Sequence, residues 1–299
     1  MTVMREEIRK IQQMMEDAQY VTDAPVATSV HLAMTLRKPL LIEGHAGVGK
    51  TEVAKVMARM LRTNLIRLQC YEGLDAATAL YEWNYQKQLL HIRLSETSAR
   101  PIGEKEQEIF SESFLLRRPL LQAITQELQS PVLLVDEVDR SDEEFEAFML
   151  EIFADWQVTI PEIGTVKATH PPYVILTSNR TRELSDALRR RCLYLWIDYP
   201  TFDKELRIVE RKVPGLDGRL AREVARFMES LRQVRLAKMP GVAETLDWAN
   251  ALAALHADHL DEDVISETLG CVLKDADDIK RFRAEVARNG LTPFLPVQP

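Results

Sequence analysis

The run Leu40-Leu41-Ile42-Glu43-Gly44-His45-Ala46-Gly47-Val48-Gly49-Lys50-Thr51 sets the tightest limit on what this chain can fold into. Apolar residues of strand character lead into a loop bounded by Gly44 and Gly49. A helical stripe follows in Val53, Val56, Met57, Met60 and Leu61. Gly44, Gly49, Lys50 and Thr51 keep the spacing G-x-x-x-x-G-K-[ST], in which glycines let successive backbone N–H groups turn inward onto phosphate oxygens. Lys50 is then placed to reach the β- and γ-phosphates and the Thr51 hydroxyl to ligate Mg²⁺. The N-terminus of the helix points its dipole at the anion. Gly44, His45, Ala46, Gly47, Val48, Gly49, Lys50, Thr51 and Glu52 are therefore read as the nucleotide-binding stretch, with no side-chain role given to His45 or Val48.

A chain of 299 residues is long enough for a sizeable core and for two domains. Its 46% apolar and 28% charged content is ordinary for a globular protein. No apolar run approaches the roughly 18 residues that a membrane span needs. Glu6 and Glu7 stand where a signal peptide would be apolar, so the expected location is cytoplasmic. A net charge of −8 gives no basic footprint, and no nucleic-acid partner is expected. Cys70, Cys192 and Cys271 are isolated and odd in number, which reads as buried thiols. The histidines are scattered, and only His256 and His259 approach ligand spacing, so no metal cluster is expected.

Along the chain, Ile8, Ile11, Met14 and Met15 predict a helix over 5–18, and Asp23 before Pro25 starts a second. Strands are expected at 39–43 and 64–69, the second at the distance of a parallel crossover. Residues 71–116 read as an insertion, with a short helical piece at 75–82, an extended run at 88–94 and a polar stretch around Pro101 and Gly103. A helix resumes at Arg117, with Pro119 tolerated in its first turn. Residues 156–167 alternate around Pro161-Glu162-Ile163-Gly164, a hairpin signature. After Asp198-Tyr199-Pro200 only helical stripes remain: Leu220, Val224, Phe227, Met228 and Leu231; Leu246, Ala249, Ala253 and Leu255; and Val264, Thr268, Leu269 and Val272. The segment 290–299 holds three prolines and reads as a tail or strap.

The second chemical motif is Pro131-Val132-Leu133-Leu134-Val135-Asp136-Glu137, a continuous apolar strand ending in two acids. Asp136 is placed to hold the Mg²⁺ shell and Glu137 to orient and deprotonate an attacking water. Asp139 and Asp142 read better as caps of the next helix. Asn179, directly after the buried strand 173–178, is placed to hydrogen-bond the γ-phosphate or the water. Arg189, Arg190 and Arg191 precede a strand at 193–197, and a guanidinium there could serve a neighbour's phosphates or simply end a helix in solvent.

This order of phosphate loop, Asp136-Glu137, hairpin, Asn179, arginine group and helical C-terminus resembles the AAA+ ATPases. Within them it is similar to the MoxR group, which has an insertion in its second helix and a hairpin before the sensor strand. Tyr71-Glu72-Gly73-Leu74-Asp75-Ala76-Ala77-Thr78, Tyr81-Glu82-Trp83-Asn84-Tyr85 and Phe114-Leu115-Leu116-Arg117-Arg118-Pro119-Leu120-Leu121 resemble the CoxD-type branch, accessory ATPases of carbon monoxide dehydrogenase and related molybdenum hydroxylases. The resemblance covers nearly the whole chain. It implies an α/β fold: a P-loop AAA+ core over 1–199 with a parallel five-stranded sheet of order 5-1-4-3-2, and an all-helical lid over 200–299. The insertion would lie at about 71–116 and the hairpin at about 156–169. It further implies ATP and Mg²⁺ as cofactors, hydrolysis of ATP, a ring homo-oligomer that is usually a hexamer, a partner with a von Willebrand A-type domain, and a client metalloenzyme.

By the same resemblance Lys50 and Thr51 belong to Walker A, Asp136 and Glu137 to Walker B, and Asn179 is sensor 1. Arg191 matches the arginine finger best and Arg190 is a near second. The chain departs from the family in the lid, where a sensor 2 arginine is replaced by Pro240-Gly241-Val242-Ala243-Glu244-Thr245-Leu246; Arg232, Arg235 and Lys238 are substitutes to consider. The competing reading is a monomeric P-loop kinase or GTPase acting on a small substrate. A GTPase needs an Asn-Lys-x-Asp base-reading motif that the chain lacks, and a small kinase has little use for the hairpin. An inert nucleotide-binding scaffold does not explain Lys50 together with Glu137.

Overall fold

The computed structural model describes residues 2–95 and 101–295. Residues 96–100 of the expected insertion and 296–299 of the expected tail lie outside them. Five strands, β1 (Leu40–Gly44), β2 (Leu65–Gln69), β3 (Val132–Asp136), β4 (Tyr173–Ser178) and β5 (Leu193–Ile197), form one sheet in the order β2-β3-β4-β1-β5. Read from the β5 edge this is 5-1-4-3-2. β2 with β3, β3 with β4, and β4 with β1 pair in parallel. The register sets Gln69 beside Asp136 and Glu43 beside Ser178, so the polar ends of four strands finish along one margin.

Burial explains which strands sit where. β1 and β3 are buried at every position and β4 at all but its first, as strands covered on both faces must be, and their sequences are nearly continuous Val, Ile and Leu. β2 and β5, at the two edges, alternate buried and open residues instead.

The chain divides into two units. One comprises Met1–Ile11, Pro25–Glu43 and Ala54–Leu195; the other comprises Gln12–Ala24, Gly44–Val53 and Trp196–Pro299. The core of the first gathers Leu41, Leu133, Val135 and Leu176 from the sheet with Leu120, Leu121, Phe145 and Met149 from helices. Among the described residues no helix is long and apolar enough to cross a membrane.

The insertion differs from its sequence reading. A helix at Ala76–Leu80, capped by Asp75, runs into a strand at Tyr81–Trp83 that pairs antiparallel with Leu115–Arg117. The expected extended run at 88–94 is a helix, Tyr85–Ser95, and the polar stretch after Pro101 is another, Ile102–Ile109. Leucine, glutamine and lysine favour helix, and the Asn84 side chain caps it by accepting from the Lys87 N–H. Buried Gln88 ties the two helices by donating to the Ile109 carbonyl. The apolar residues that suggested a strand, Leu89, Leu90 and Leu94, face solvent. The hairpin is present as Gln157–Ile160 and Gly164–Lys167, joined through Thr159 opposite Thr165.

In the second unit the helices Phe202–Lys212, Gly218–Leu231, Val242–Ala254, Glu262–Thr268 and Ala276–Asn289 enclose a core centred on Phe227, whose ring contacts Trp248, Phe282 and Phe294. The helix Val242–Ala254 is turned from its expected stripe. It buries Thr245, Trp248, Ala249 and Leu252, whereas Leu255 is exposed. Trp248 fixes this rotation by donating its indole N–H to the Thr268 hydroxyl at 2.8 Å. Residues 12–24 join the same unit through Glu16, which pairs with Arg207 and Arg211, and Asp23, which pairs with Lys204.

Candidate active site

The glycine loop leaves β1 and ends on the helix Lys50–Leu61. Gly47 (φ +76°) and Gly49 (φ +92°) both adopt left-handed backbone, which glycine enters without steric cost. That curvature turns the loop around a centre instead of across it. Lys50 is 7% exposed, and its ammonium donates to the Gly44 carbonyl at 2.8 Å and the His45 carbonyl at 2.6 Å. Its charge is thus held at the loop, at the start of a helix whose first turn also carries Thr51 and Glu52. His45 stacks on Tyr199, with ring centroids 4.6 Å apart, so its side chain packs on the segment before the helix Phe202–Lys212.

The helix Val242–Ala254 begins on this loop. The Val242 and Ala243 N–H groups both donate to the Gly47 carbonyl, at 2.9 and 3.2 Å. A Cβ on Gly241 would stand 2.8 Å from the Ala46 carbonyl oxygen, so no larger residue fits there without movement. The place where the family expects a sensor 2 arginine is therefore a backbone contact. Arg232 does not substitute for that arginine: its guanidinium is bidentate on buried Glu205, at 2.5 and 2.7 Å, and lies over the Tyr199 ring. Arg235 and Lys238 are exposed, and the Lys238 backbone N–H is used to hold Asp278.

The first unit gathers the acids. Asp136, 3% exposed, accepts from the Thr177 hydroxyl at 2.5 Å through one oxygen and from the Arg67 guanidinium through the other. Glu137 sits in left-handed backbone (φ +56°, ψ +49°), an uncommon conformation for a residue with a Cβ and one found at functional sites. Thr177 also accepts the Glu137 N–H at 3.0 Å, which fixes this turn. The Glu137 carboxylate accepts from Gln69 at 3.1 Å, from Arg140 at 2.8 Å and from the Asn179 amide at 3.5 Å. Asp136, Glu137 and Asn179 are thus brought together.

Asp142 is the cap expected of it, accepting from the Phe145 N–H. Asp139 is not a cap. It is buried and accepts from the Asn179 N–H (3.2 Å), the Thr181 N–H (2.8 Å) and the Thr181 hydroxyl (2.7 Å). That carboxylate holds the loop carrying Asn179. Reading the sequence as local caps missed it, as it missed Arg67, Gln69, Arg140 and Thr177, whose roles depend on neighbouring strands. Burial, and then the nearby Asp136 and Asp139, push the Cys70 thiol up to about 12, so it stays protonated and inert.

Arg189, Arg190 and Arg191 form the last turn of the helix Asp186–Arg191, which Ser185 caps. All three are exposed, and none of their guanidinium groups makes a hydrogen bond or ion pair among the described residues. No group of three or more His, Cys, Asp or Glu among the described residues could hold a metal ion by itself, and His259 pairs with Asp261 instead of joining His256. Hard oxygen donors such as the Thr51 hydroxyl and the Asp136 carboxylate suit Mg²⁺, which takes one or two ligands from protein and fills its octahedron with phosphate oxygens and water.

A profile of the AAA domain (dynein-related subfamily) matches residues 39–192, just over half of the chain. The chain belongs to this AAA domain family. The matched span carries the glycine loop, Asp136, Glu137, Asn179 and the arginine group. Beyond the family, the chain is 24% identical over 218 residues to an uncharacterized protein of Staphylococcus aureus (bovine strain RF122), covering 71% of this chain and 74% of that one. It is 23% identical over 222 residues to an uncharacterized protein of Staphylococcus haemolyticus, with coverages of 72% and 76%. Among solved structures, a point mutant of Thermotoga maritima RuvB superposes with a TM-score of 0.50 at 17% identity, covering 90% of this chain and 76% of that one. That likeness supports the AAA fold of the chain and nothing finer.

Proposed function

We propose that this AAA domain protein hydrolyses ATP with Mg²⁺ and uses the cycle to remodel or mature a client metalloenzyme, as a MoxR-type ATPase of the CoxD-like branch. The client class is a molybdenum hydroxylase of the carbon monoxide dehydrogenase kind. The observation that carries the ATPase half is the gathering of Asp136, Glu137 and Asn179 at one margin of the sheet, with Glu137 held in left-handed backbone. The core is assigned to 1–199 and the lid to 200–299. The working form is a ring, a hexamer by family resemblance, placed in the cytoplasm with a von Willebrand A-type partner.

In this reading the backbone of Gly44, His45, Ala46, Gly47, Val48, Gly49, Lys50, Thr51 and Glu52 binds the phosphates, and Lys50 moves from the loop carbonyls to the β- and γ-phosphates. A magnesium ion held at Thr51 and Asp136 would neutralise charge developing between those phosphates. Glu137 takes the proton of the attacking water through its carboxylate, and Asn179 orients that water. Arg191, with Arg190 as alternative, acts on the phosphates of a neighbouring subunit. Positioning and charge, not covalent chemistry, supply the rate.

The client half is tested by affinity purification from the native cell with Glu137→Gln as an ATP-locked bait and Lys50→Ala as its empty control. A metalloenzyme and a von Willebrand A-type protein retained by the first and lost from the second are the expected result. Recovery of neither overturns the client assignment and leaves an ATPase with another task.

A further inference from the structure

A groove of about 700 Å³ opens in the first unit, between the insertion and the helix and hairpin that follow β3. The floor is apolar, from Leu80, Phe148 and Ile152, and the walls carry Tyr81, Trp83 and Tyr85. Four carboxylates line it, from Glu82, Glu151, Asp155 and Glu162, and no lysine, arginine or histidine does. Glu82 is paired with Arg118. The Glu151, Asp155 and Glu162 side chains are exposed, and their carboxylates make no hydrogen bond or ion pair among the described residues.

The surrounding structure works against these charges. Glu151 and Asp155 lie four residues apart on the helix Glu143–Asp155, where like charges repel. They also sit at its C-terminal end, where the dipole disfavours anions, and no basic residue occupies that last turn. Burial, together with Glu162 and Tyr85, raises the Tyr81 hydroxyl above its ordinary value, so the wall stays a neutral aromatic face. Each unfavourable feature is relieved by one kind of occupant, a cation. The aromatic faces favour a planar guanidinium over an ammonium, and Tyr85 is 62% exposed and available to stack.

We propose that this groove grips an arginine-bearing extended segment of the protein client. The proposal rests on the remodelling function above and supplies the substrate chemistry that it lacks. A bare metal ion does not suit the site, because the volume is that of a small-molecule or peptide pocket and no ligating cluster is present among the described residues. The chain's own segment 290–299 contains no basic residue and does not supply the occupant.

The test is fluorescence anisotropy with the full-length chain and a labelled peptide of alternating alanine and arginine, beside a peptide with glutamate for arginine. Wild type binds the arginine peptide and not the glutamate one. The triple variant Glu151→Gln, Asp155→Asn, Glu162→Gln binds it at least tenfold more weakly, with unchanged basal ATP turnover. Glu262→Gln, Asp263→Asn, Glu267→Gln on the lid changes net charge equally and leaves binding intact. Ala77→Arg, at an exposed wall position, supplies a competing cation and also lowers affinity. Equal binding by wild type and the groove triple, or loss by the lid triple as well, overturns the proposal. So does a groove triple that alters subunit assembly while binding peptide normally, since the occupant is then a second copy. Failure here with a client still captured by the ATP-locked bait removes the groove alone; failure of that capture removes the client reading.

Discussion

Asp139 shows how a single residue shapes the site without reaching its reacting atoms. Its buried carboxylate takes three donors from the loop 179–181, and that loop carries Asn179 beside Glu137. Asp139→Asn puts an amide where those donors need an acceptor, so Asn179 shifts while the glycine loop is untouched. The expected outcome is a fall in kcat of about tenfold or more, with ATP affinity within about threefold, read from phosphate release and nucleotide titration; a tenfold change corresponds to about 1.4 kcal/mol. Asp139→Ala leaves the part-buried Asn179 N–H and the Thr181 N–H without their acceptor and costs roughly 1–3 kcal/mol in urea unfolding. Equal loss of affinity and turnover in Asp139→Asn would contradict a positioning role. The sequence pointed to Lys50, Asp136, Glu137 and Asn179 because each belongs to a contiguous pattern. It did not point to Asp139, Arg67 or Thr177, whose partners are distant in sequence and become neighbours only through the register of β2, β3 and β4.

Among the elements, the seat of the helix Val242–Ala254 on the glycine loop replaces the arginine contact that the family resemblance implied. Two N–H groups converge on the Gly47 carbonyl, and Gly241 leaves no space for a Cβ. Gly241→Ala therefore separates helix and loop or strains both, a cost of about 1–3 kcal/mol. A lower melting temperature together with about tenfold weaker nucleotide binding is expected in calorimetry. A variant that melts lower but binds normally would show the seat to be structural only. The β1, β3 and β4 strands were legible because a strand buried on both faces must be apolar throughout. The helix Tyr85–Ser95 was misread because its leucines face outward, so their spacing reported neither a helical core stripe nor a strand. The rotation of the helix Val242–Ala254 was hidden for a related reason: Trp248 and Thr245 are buried through polar partners that an apolar stripe does not count.

For the whole molecule, the guanidinium groups of the exposed helix end Arg189, Arg190 and Arg191 make no hydrogen bond or ion pair among the described residues, which suits a finger for a neighbouring subunit. Mixing inactive Arg191→Ala with inactive Glu137→Gln is expected to restore part of the turnover, because the proposed ring, when mixed, would contain interfaces where an intact site meets an intact finger. Mixtures shown to co-assemble yet remaining inactive would place that arginine in its own subunit's site or in the fold. The central claim, that the glycine loop binds ATP and the acid cluster spends it, is tested most directly by measuring ATP affinity and steady-state phosphate release for wild type, Lys50→Ala and Glu137→Gln. Wild type should bind and turn over ATP, losing turnover when magnesium is chelated; Lys50→Ala should lose binding; Glu137→Gln should keep binding and lose turnover by on the order of a hundredfold or more. Equal loss of binding in both variants, or undiminished turnover in Glu137→Gln, would contradict the account.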